Sequence, residues 1–384
     1  MTAETILTNA LLVLPDAVLP GTIILRDGLI AEIQPGRSQA ASALDLEGDH
    51  LIPGIVDVHT DNLERQVLPR ANARWPSRSA MIAHDAQCVA AGVTTILDAL
   101  CLGDLGFDTE RGQTFLDGVR DLDELADKGA LKGEHFLHLR CELPARDMPP
   151  ALEPVADHPR VVMVSLMDHS PGVGQYRDLQ RYAAMRKRQT QWNDTQVQAR
   201  IDSLFAQRAE LREKQRSWLL DRIRHRNLPL ASHDDDTPSE MSRNLADGIT
   251  ISEFPVTMEA ARAARDLKVE VIAGAPNIVR GGSHSGNVAA ADLVREGLAH
   301  AFASDYVPAS MLEAAWRAVD AGGITLPQAI AMVADTPARM ARLTDRGRLA
   351  AGLKADLVRV RSIGDMPLVP PSICPALAEA AERA

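Results

Sequence analysis

The spacing of apolar and polar residues divides the chain into two parts. Residues 1–52 contain short apolar stretches separated by turns, and Thr22–Ile33 has the pattern of a β-hairpin around Asp27 and Gly28. From residue 53 onward, β-branched apolar runs alternate with helical stretches. That alternation is typical of a parallel sheet covered by helices. The pattern therefore predicts a small β unit followed by a larger α/β fold.

The α/β part contains eight apolar runs that we interpret as strands. They are Ile52–His59, Val93–Leu100, His135–Glu142, Val161–His169, Leu228–His233, Ile249–Pro255, Glu270–Pro276 and His300–Asp305. Eight strand–helix units within about 290 residues favour a (β/α)8 TIM barrel. A doubly wound sheet is the alternative, but no glycine-rich dinucleotide loop follows an early strand.

Two further segments complete the predicted domain organisation. Residues 343–384 offer too little length for a core of their own, so we predict that they join residues 1–52 in a composite β-sandwich. The barrel then spans 53–342, with a helical insertion at about 175–226 that lacks proline and glycine. Over 174–226 the chain has 13 Lys/Arg against 6 Asp/Glu. A solvated, partly packed surface hairpin is favoured over a substrate-binding arm, and a subunit interface stays open.

Composition narrows the class of protein. With 384 residues, 46% of them hydrophobic, the chain can bury a large core, and its net charge of −11 argues against nucleic-acid or membrane-surface binding. No apolar run reaches the roughly 20 residues that span a bilayer, and the N-terminus lacks the positive charge of a secretory signal. Scattered cysteines without metal-binding spacing predict a reduced, cytoplasmic protein with buried thiols. They are Cys88, Cys101, Cys141 and Cys374.

Ligand-type side chains follow the predicted strands. In a barrel, the carboxyl ends of the strands meet on one rim, where active sites lie. The series is His59, Asp61, Asp98, Arg140, Glu142, Asp168, His169, His233, Asp234, Asp235, Asp236, Glu253 and Asp305. Such a dense set on one rim predicts a metal site. By contrast, we interpret His84 and Asp85 as helix-surface residues with a capping role.

The predicted metal chemistry is hydrolytic. Two divalent ions that share a water lower its pKa toward neutrality. We expect Glu142 to bridge the ions and Asp305 to act as general base. The predicted ligands are His59, Asp61, Glu142, His169, His233 and Asp305.

Basic and flexible residues near the same rim suggest an anionic substrate. Arginines and backbone N–H groups of glycine-rich loops suit phosphate oxygens. The predicted substrate contacts are Arg65, Arg70, Arg140, Arg280, His284 and Asn287. We therefore expect a small phosphorylated substrate.

Several of these motifs resemble a known superfamily. PGIVDVHTD (53–61) and the closing DRGRLAAGLKADLVRV (345–360) resemble the amidohydrolase superfamily over nearly the whole chain. HTDNLE (59–64), RCE (140–142), SHDDDT (232–237) and APNIVRGGSHSGN (275–287) resemble its phosphonate-degrading branch, in the carbon–phosphorus lyase pathway. This resemblance implies hydrolysis of α-D-ribose 1-methylphosphonate 5-triphosphate to 5-phospho-α-D-ribose 1-methylphosphonate and diphosphate. It also implies one or two divalent ions.

The chain departs from the superfamily pattern at its ligands. His59-x-Asp61 stands where most members have two histidines, and no lysine ends strand 3 or 4. The two later histidines fall on strands 4 and 5 rather than 5 and 6. An oxygen-richer ligand set favours Mn²⁺ or Mg²⁺, with Zn²⁺ or Fe²⁺ as alternatives.

The residues leave two other functions open. One is hydrolysis of an amide, as by a deacetylase or cyclic amidase. The other is a catalytically inactive scaffold, whose mark would be lost ligands. Homo-oligomerisation and association with other phosphonate-pathway enzymes also stay open.

Overall fold

The computed structural model describes residues 4–70, 73–106, 110–283 and 286–370. Its first five strands form most of a separate sheet at the N-terminus. The predicted hairpin is confirmed, because β2 and β3 pair antiparallel on either side of Asp27 and Gly28. The strands are Glu4–Val13 (β1), Val18–Arg26 (β2), Leu29–Pro35 (β3), Leu44–Asp45 (β4) and His50–Pro53 (β5).

The next eight strands form the predicted barrel. They pair in parallel and in chain order, and a bridge between Thr60 and Asp305 brings the first and last strands together. Each strand lies within or overlaps one of the eight predicted runs, so the (β/α)8 prediction is confirmed. The strands are Ile55–Thr60 (β6), Val93–Leu102 (β7), Glu134–Glu142 (β8), Val161–Met167 (β9), Leu230–His233 (β10), Ile251–Glu253 (β11), Glu270–Gly274 (β12) and Ala301–Ala303 (β13).

The chain then returns to the first sheet. Strands Leu357–Ile363 (β14) and Met366–Leu368 (β15) extend it, with β14 antiparallel to β5. Buried Leu51 and Leu357 belong to one apolar cluster in this region. The separate sheet thus draws on both ends of the chain, as predicted. The division at residues 52/53 and 342/343 stays a prediction, and residues 371–384 lie outside the described range.

Helices cover the outer face of the barrel. Buried leucines of β7 and β8 pack against this layer, whereas Val58 and Ile272 belong to a separate cluster with other strand residues. Within the described ranges, none of the helices has the length and apolar character needed to cross a membrane. The helices are Asn62–Val67 (α1), Ser77–Ala90 (α2), Arg111–Asp127 (α3), Met148–Leu152 (α4), Leu179–Thr190 (α5), Asp194–Ile223 (α6), Pro238–Ala246 (α7), Met258–Leu267 (α8), Ala275–Arg280 (α9), Ala290–Arg295 (α10), Ser310–Gly322 (α11), Leu326–Ala331 (α12) and Asp335–Met340 (α13).

The long helical insertion consists mainly of α5 and α6. Asn193 begins α6 with a capping box, in which its side chain accepts from the Gln196 N–H and its own N–H donates to the Gln196 side chain. Such a box satisfies two backbone donors that a helix start leaves unpaired. Tyr182 of α5 packs with Val197 and Ile201 of α6. The insertion is therefore a packed helical pair.

Candidate metal centre and active site

The seam between the first and last barrel strands holds three ligand-type side chains. The Asp305 N–H donates to the His59 carbonyl at 3.0 Å, and the Asp61 N–H donates to the Asp305 carbonyl at 2.6 Å. One ligand atom each from His59, Asp61 and Asp305 lies within 4.8 Å of the others. Asp305 has a positive φ of 54°, a conformation that aspartate tolerates better than most residues. The backbone of the seam thus fixes this group.

A second group adjoins the first. One ligand atom each from His169, His233 and Asp234 lies within 4.8 Å of the others. The His233 ring centre is 5.4 Å from that of His59 and 5.4 Å from that of His169. His169 follows the fourth barrel strand and His233 ends the fifth, so the strand count from the sequence holds. The two groups form one continuous cluster, which we call the ligand cluster.

A buried carboxylate stands behind each of two histidines in this cluster. His59 Nδ1 lies 2.9 Å from Glu253 Oε1, and Ser165 Oγ donates to the other oxygen of Glu253 at 2.6 Å. His169 Nδ1 lies 2.5 Å from Glu142 Oε2, and its N–H donates to Glu142 Oε1 at 2.8 Å. Such carboxylates fix a histidine's tautomer and leave Nε2 for a ligand. Both oxygens of Glu142, which the sequence predicts as a bridge, therefore face His169.

Opposite charges set the electrostatics of the cluster. Burial opposes ionisation of Asp61, but Arg140, whose Nη1 lies 2.8 Å from Asp61 Oδ2, outweighs it and lowers the pKa of Asp61. Burial also disfavours a charged His59, yet the Glu253 carboxylate raises the pKa of His59 to about 10. Burial, together with the Asp61 carboxylate, raises the pKa of Asp305. The buried charges of the cluster therefore lie close together, and opposite charges stabilise one another.

Several buried atoms of the cluster make no hydrogen bond and so suit a cation, although His59 Nε2 lies 3.5 Å from Asp61 Oδ1 and His233 Nδ1 lies 3.3 Å from Asp234 Oδ2. In the described part of the chain, the following cluster atoms are buried and make no hydrogen bond: His59 Nε2, Asp61 Oδ1, His233 Nδ1 and Asp234 Oδ2. An unsatisfied buried polar group costs about 1–3 kcal/mol. Imidazole nitrogens and carboxylate oxygens are the usual donors to divalent metals. The donor set fits one or two divalent ions.

A cavity of about 520 Å³ opens over the ligand cluster. Of the predicted substrate contacts, Arg140, Arg280 and Asn287 line it. Arg65 and Arg70 are exposed outside the lining, although Arg65 donates to the carbonyl of the lining residue Tyr306 at 2.7 Å. His284 lies outside the described residues. Of the five predicted anion contacts that the structure describes, three therefore line the cavity.

The helical insertion also reaches this cavity. Arg186, Trp192 and Arg200 belong to its lining. The predicted solvated, partly packed surface hairpin is corrected in one respect, because part of the insertion lines the cavity. Asp168, which follows β9 of the barrel, binds the insertion through ion pairs with Arg208 at 2.7 Å and with Arg212 of α6 at 2.9 Å.

Three residues of the predicted rim series point elsewhere. Asp168 faces the insertion, as above. Asp235 accepts hydrogen bonds from Ser232 and Asn244, at 2.6 and 2.7 Å. Asp98 lies away from the rim and contacts histidines in the layer between the barrel and its helices. Asp98 and Asp235 are buried, and each of the three has polar partners outside the ligand cluster, so including them in the rim site was wrong.

The network around Asp98 corrects a second expectation. His84 is fully buried and its Nε2 lies 2.7 Å from Asp98 Oδ1, so it is not a helix-surface residue. His135 joins Asp98 to Asp85 through contacts of 2.9 and 3.3 Å. Asn62, directly after Asp61, contacts His84 Nδ1 at 3.0 Å. This buried network links α2 to the start of α1, behind the ligand cluster.

Sequence reasoning missed two other groups at the site. His138 alternates with Arg140 and Glu142 on β8, and its ring centre lies 5.2 Å from that of His59. That alternation was the available signal. Arg111, the first residue of α3, lines the cavity without any local motif to mark it.

Comparison with solved structures identifies proteins with a related fold. N-acetylglucosamine-6-phosphate deacetylase from Pasteurella multocida shares 12% identity over 93% of this chain and 95% of its own, with a TM-score of 0.60. An uncharacterised metal-dependent hydrolase from Pyrococcus furiosus shares 13% identity over 96% and 99%, with a TM-score of 0.57. At these identities the likeness concerns the fold alone. These hydrolases therefore share the fold of this chain.

Comparison of amino-acid sequences identifies a more specific family. No family model matches the chain. However, the chain is 41% identical over 355 residues to α-D-ribose 1-methylphosphonate 5-triphosphate diphosphatase of Escherichia coli (strain K12). The match covers 92% of this chain and 94% of that protein. The chain belongs to the family of this diphosphatase, and it is an enzyme of the hydrolase class.

Proposed function

We propose that this protein hydrolyses α-D-ribose 1-methylphosphonate 5-triphosphate to 5-phospho-α-D-ribose 1-methylphosphonate and diphosphate, in phosphonate catabolism. The observation that carries the proposal is the common cavity of the ligand cluster and the arginines. Cation ligands and guanidinium groups around one space suit a phosphate-rich substrate. The 41% identical relative supplies the particular substrate.

Side chains of the ligand cluster would hold the divalent ions. A divalent ion bound there would stabilise negative charge on phosphoryl oxygens and make water a better nucleophile at neutral pH. Mn²⁺ and Mg²⁺ suit the oxygen-rich set best, with Zn²⁺ and Fe²⁺ as alternatives. Glu142 and Glu253 orient His169 and His59 from behind. The proposed metal-holding residues are His59, Asp61, His169, His233, Asp234 and Asp305.

The remaining roles are the transfer of a proton and the binding of anionic oxygens. Formation of these products requires water to add across the α–β anhydride bond of the triphosphate. Asp305, at the seam beneath the cavity, takes the proton of that water on its carboxylate. Arg140 and Arg280 hold phosphoryl oxygens of the substrate and of the leaving diphosphate.

Product analysis by ³¹P NMR tests the proposal. The protein, supplied with Mn²⁺, is incubated with ribose 1-methylphosphonate 5-triphosphate, and ATP serves as a second triphosphate. Diphosphate and a 5-monophosphate should appear together from the first substrate. If neither triphosphate is consumed while N-acetyl amides or cyclic amides are hydrolysed, the amidase alternative replaces the proposal.

A further inference from the structure

Three arginines from outside the strand ends converge on the cavity. We define the arginine wall as Arg111, Arg186 and Arg200, which come from α3, α5 and α6 and all line the cavity. We propose that this wall binds the terminal phosphates of the substrate and the diphosphate released from them. The inference rests on the proposed function and deepens it by naming the subsite for the leaving group.

Arg186 is held where a ligand in the cavity can reach it. Its side chain is buried, with 8% of the residue exposed, and its guanidinium lies 5.0 Å from the Tyr182 ring centre. Arg186 Nη1 donates to Gln189 Oε1 at 3.0 Å, and Gln189 is itself a lining residue. A guanidinium fixed by stacking loses little further entropy when it binds a phosphate. Arg186 is therefore prepared for an anion.

Arg111 retains binding capacity. Its Nε is buried and makes no hydrogen bond within the described residues, although it forms an ion pair with Glu64 Oε1 at 3.8 Å. A phosphate oxygen that reached this Nε would supply the missing hydrogen bond. Arg200, also in the lining, donates to the Leu105 carbonyl. The wall thus draws its donors from α3 and from both helices of the insertion.

The cavity lining combines carboxylates with guanidinium groups. The ligand cluster supplies Asp61, Asp234 and Asp305, which suit cations, whereas the wall supplies only guanidinium groups. In a protein of net charge −11, such a basic surface is a local exception. A triphosphate laid across the cavity would place its scissile end at the cluster and its terminal phosphates at the wall. The insertion would then select for substrates that carry a diphosphate.

Binding of inorganic diphosphate tests the wall directly. The full-chain protein at constant free Mn²⁺ is titrated with diphosphate in a calorimeter, as wild type and as Arg186→Gln and Arg111→Gln. Arg188→Gln is the matched control, because Arg188 lies on the same helix, is exposed and does not line the cavity. We expect diphosphate to bind at least tenfold more weakly to both wall variants and within twofold of wild type to the control.

The two proposals can fail separately. Equal diphosphate affinity of Arg186→Gln and Arg188→Gln overturns the wall, even if the triphosphate is hydrolysed. Conversely, a tenfold loss in the wall variants without any triphosphate hydrolysis upholds the wall and removes the proposed substrate. If Arg186→Gln does not fold, Arg186→Lys decides the matter. It keeps the charge but loses the bidentate fork, so diphosphate should bind it at least threefold more weakly than wild type, and wild-type affinity would overturn the wall.

Discussion

Replacement of Glu253 by glutamine isolates the carboxylate behind His59. The side chain is fully buried, with His59 Nδ1 at 2.9 Å and Ser165 Oγ at 2.6 Å as hydrogen-bond partners and His138 Nε2 at 3.8 Å. Glutamine keeps the shape and can accept from His59 while donating to Ser165, so the variant should fold. The negative charge that makes His59 a strong ligand is lost.

The expected loss follows from that charge. Removal of a carboxylate that orients a metal-binding histidine lowers metal affinity by about 10–100-fold. At about 1.4 kcal/mol per factor of ten, this loss corresponds to about 1.4–2.8 kcal/mol of binding free energy. We therefore expect Glu253→Gln to bind Mn²⁺ about 10–100-fold more weakly than wild type.

Equilibrium dialysis with metal analysis measures this affinity, and circular dichroism checks the fold. Glu296→Gln is the control, because Glu296 pairs with Arg262 on the surface at 3.0 Å, away from the cavity. Mn²⁺ affinity of a folded Glu253→Gln within twofold of the control would refute the role of Glu253 in orienting a metal ligand.

Three further predictions concern the base, the buried network and the insertion. Asp305→Asn should abolish triphosphate hydrolysis with near-normal metal content, and full turnover would exclude Asp305 as the base. Burial opposes the charged His135, but Asp98 raises the pKa of His135 to about 9 from 6.5. Because the folded pKa is higher, this stabilisation is complete below pH 6.5 and lost as the pH rises past 9. In urea titrations, the free energy of unfolding of His135→Gln should change by about 3 kcal/mol less than that of wild type as the pH rises from 6.5 past 9. Equal changes in the two proteins would contradict this. Asp168→Asn weakens the partly exposed ion pairs with Arg208 and Arg212, so it should destabilise the insertion by about 1 kcal/mol, seen as faster proteolysis within 175–226; an unchanged cleavage rate would count against it.

The positions of the candidate ligands show how much of the site strand periodicity alone can predict. The eight runs and the residues at their ends follow from β-branched runs alternating with helical stretches, and this pattern also placed His59 and Asp61 on one strand end. Only the structure shows which side chains on neighbouring strands contact these ligands. Glu142 and Glu253 both belong to the predicted rim series, yet each turns its oxygens toward a histidine. Which oxygen meets which ring depends on distances between strands, which a single strand's sequence does not contain.

The sequence by itself determined the barrel, the return of the C-terminal strands to the first sheet, and the presence of ligand-type side chains on one rim. It did so because hydrophobic periodicity and strand order are local properties of the chain. Only the tertiary structure decided that Asp98 faces the helices and that the insertion lines the cavity. Barrel strands are buried on both faces, so alternation shows which residues share a face but not which face points into the barrel. Where a helical pair docks depends on contacts such as Asp168 with Arg208, which join distant parts of the chain.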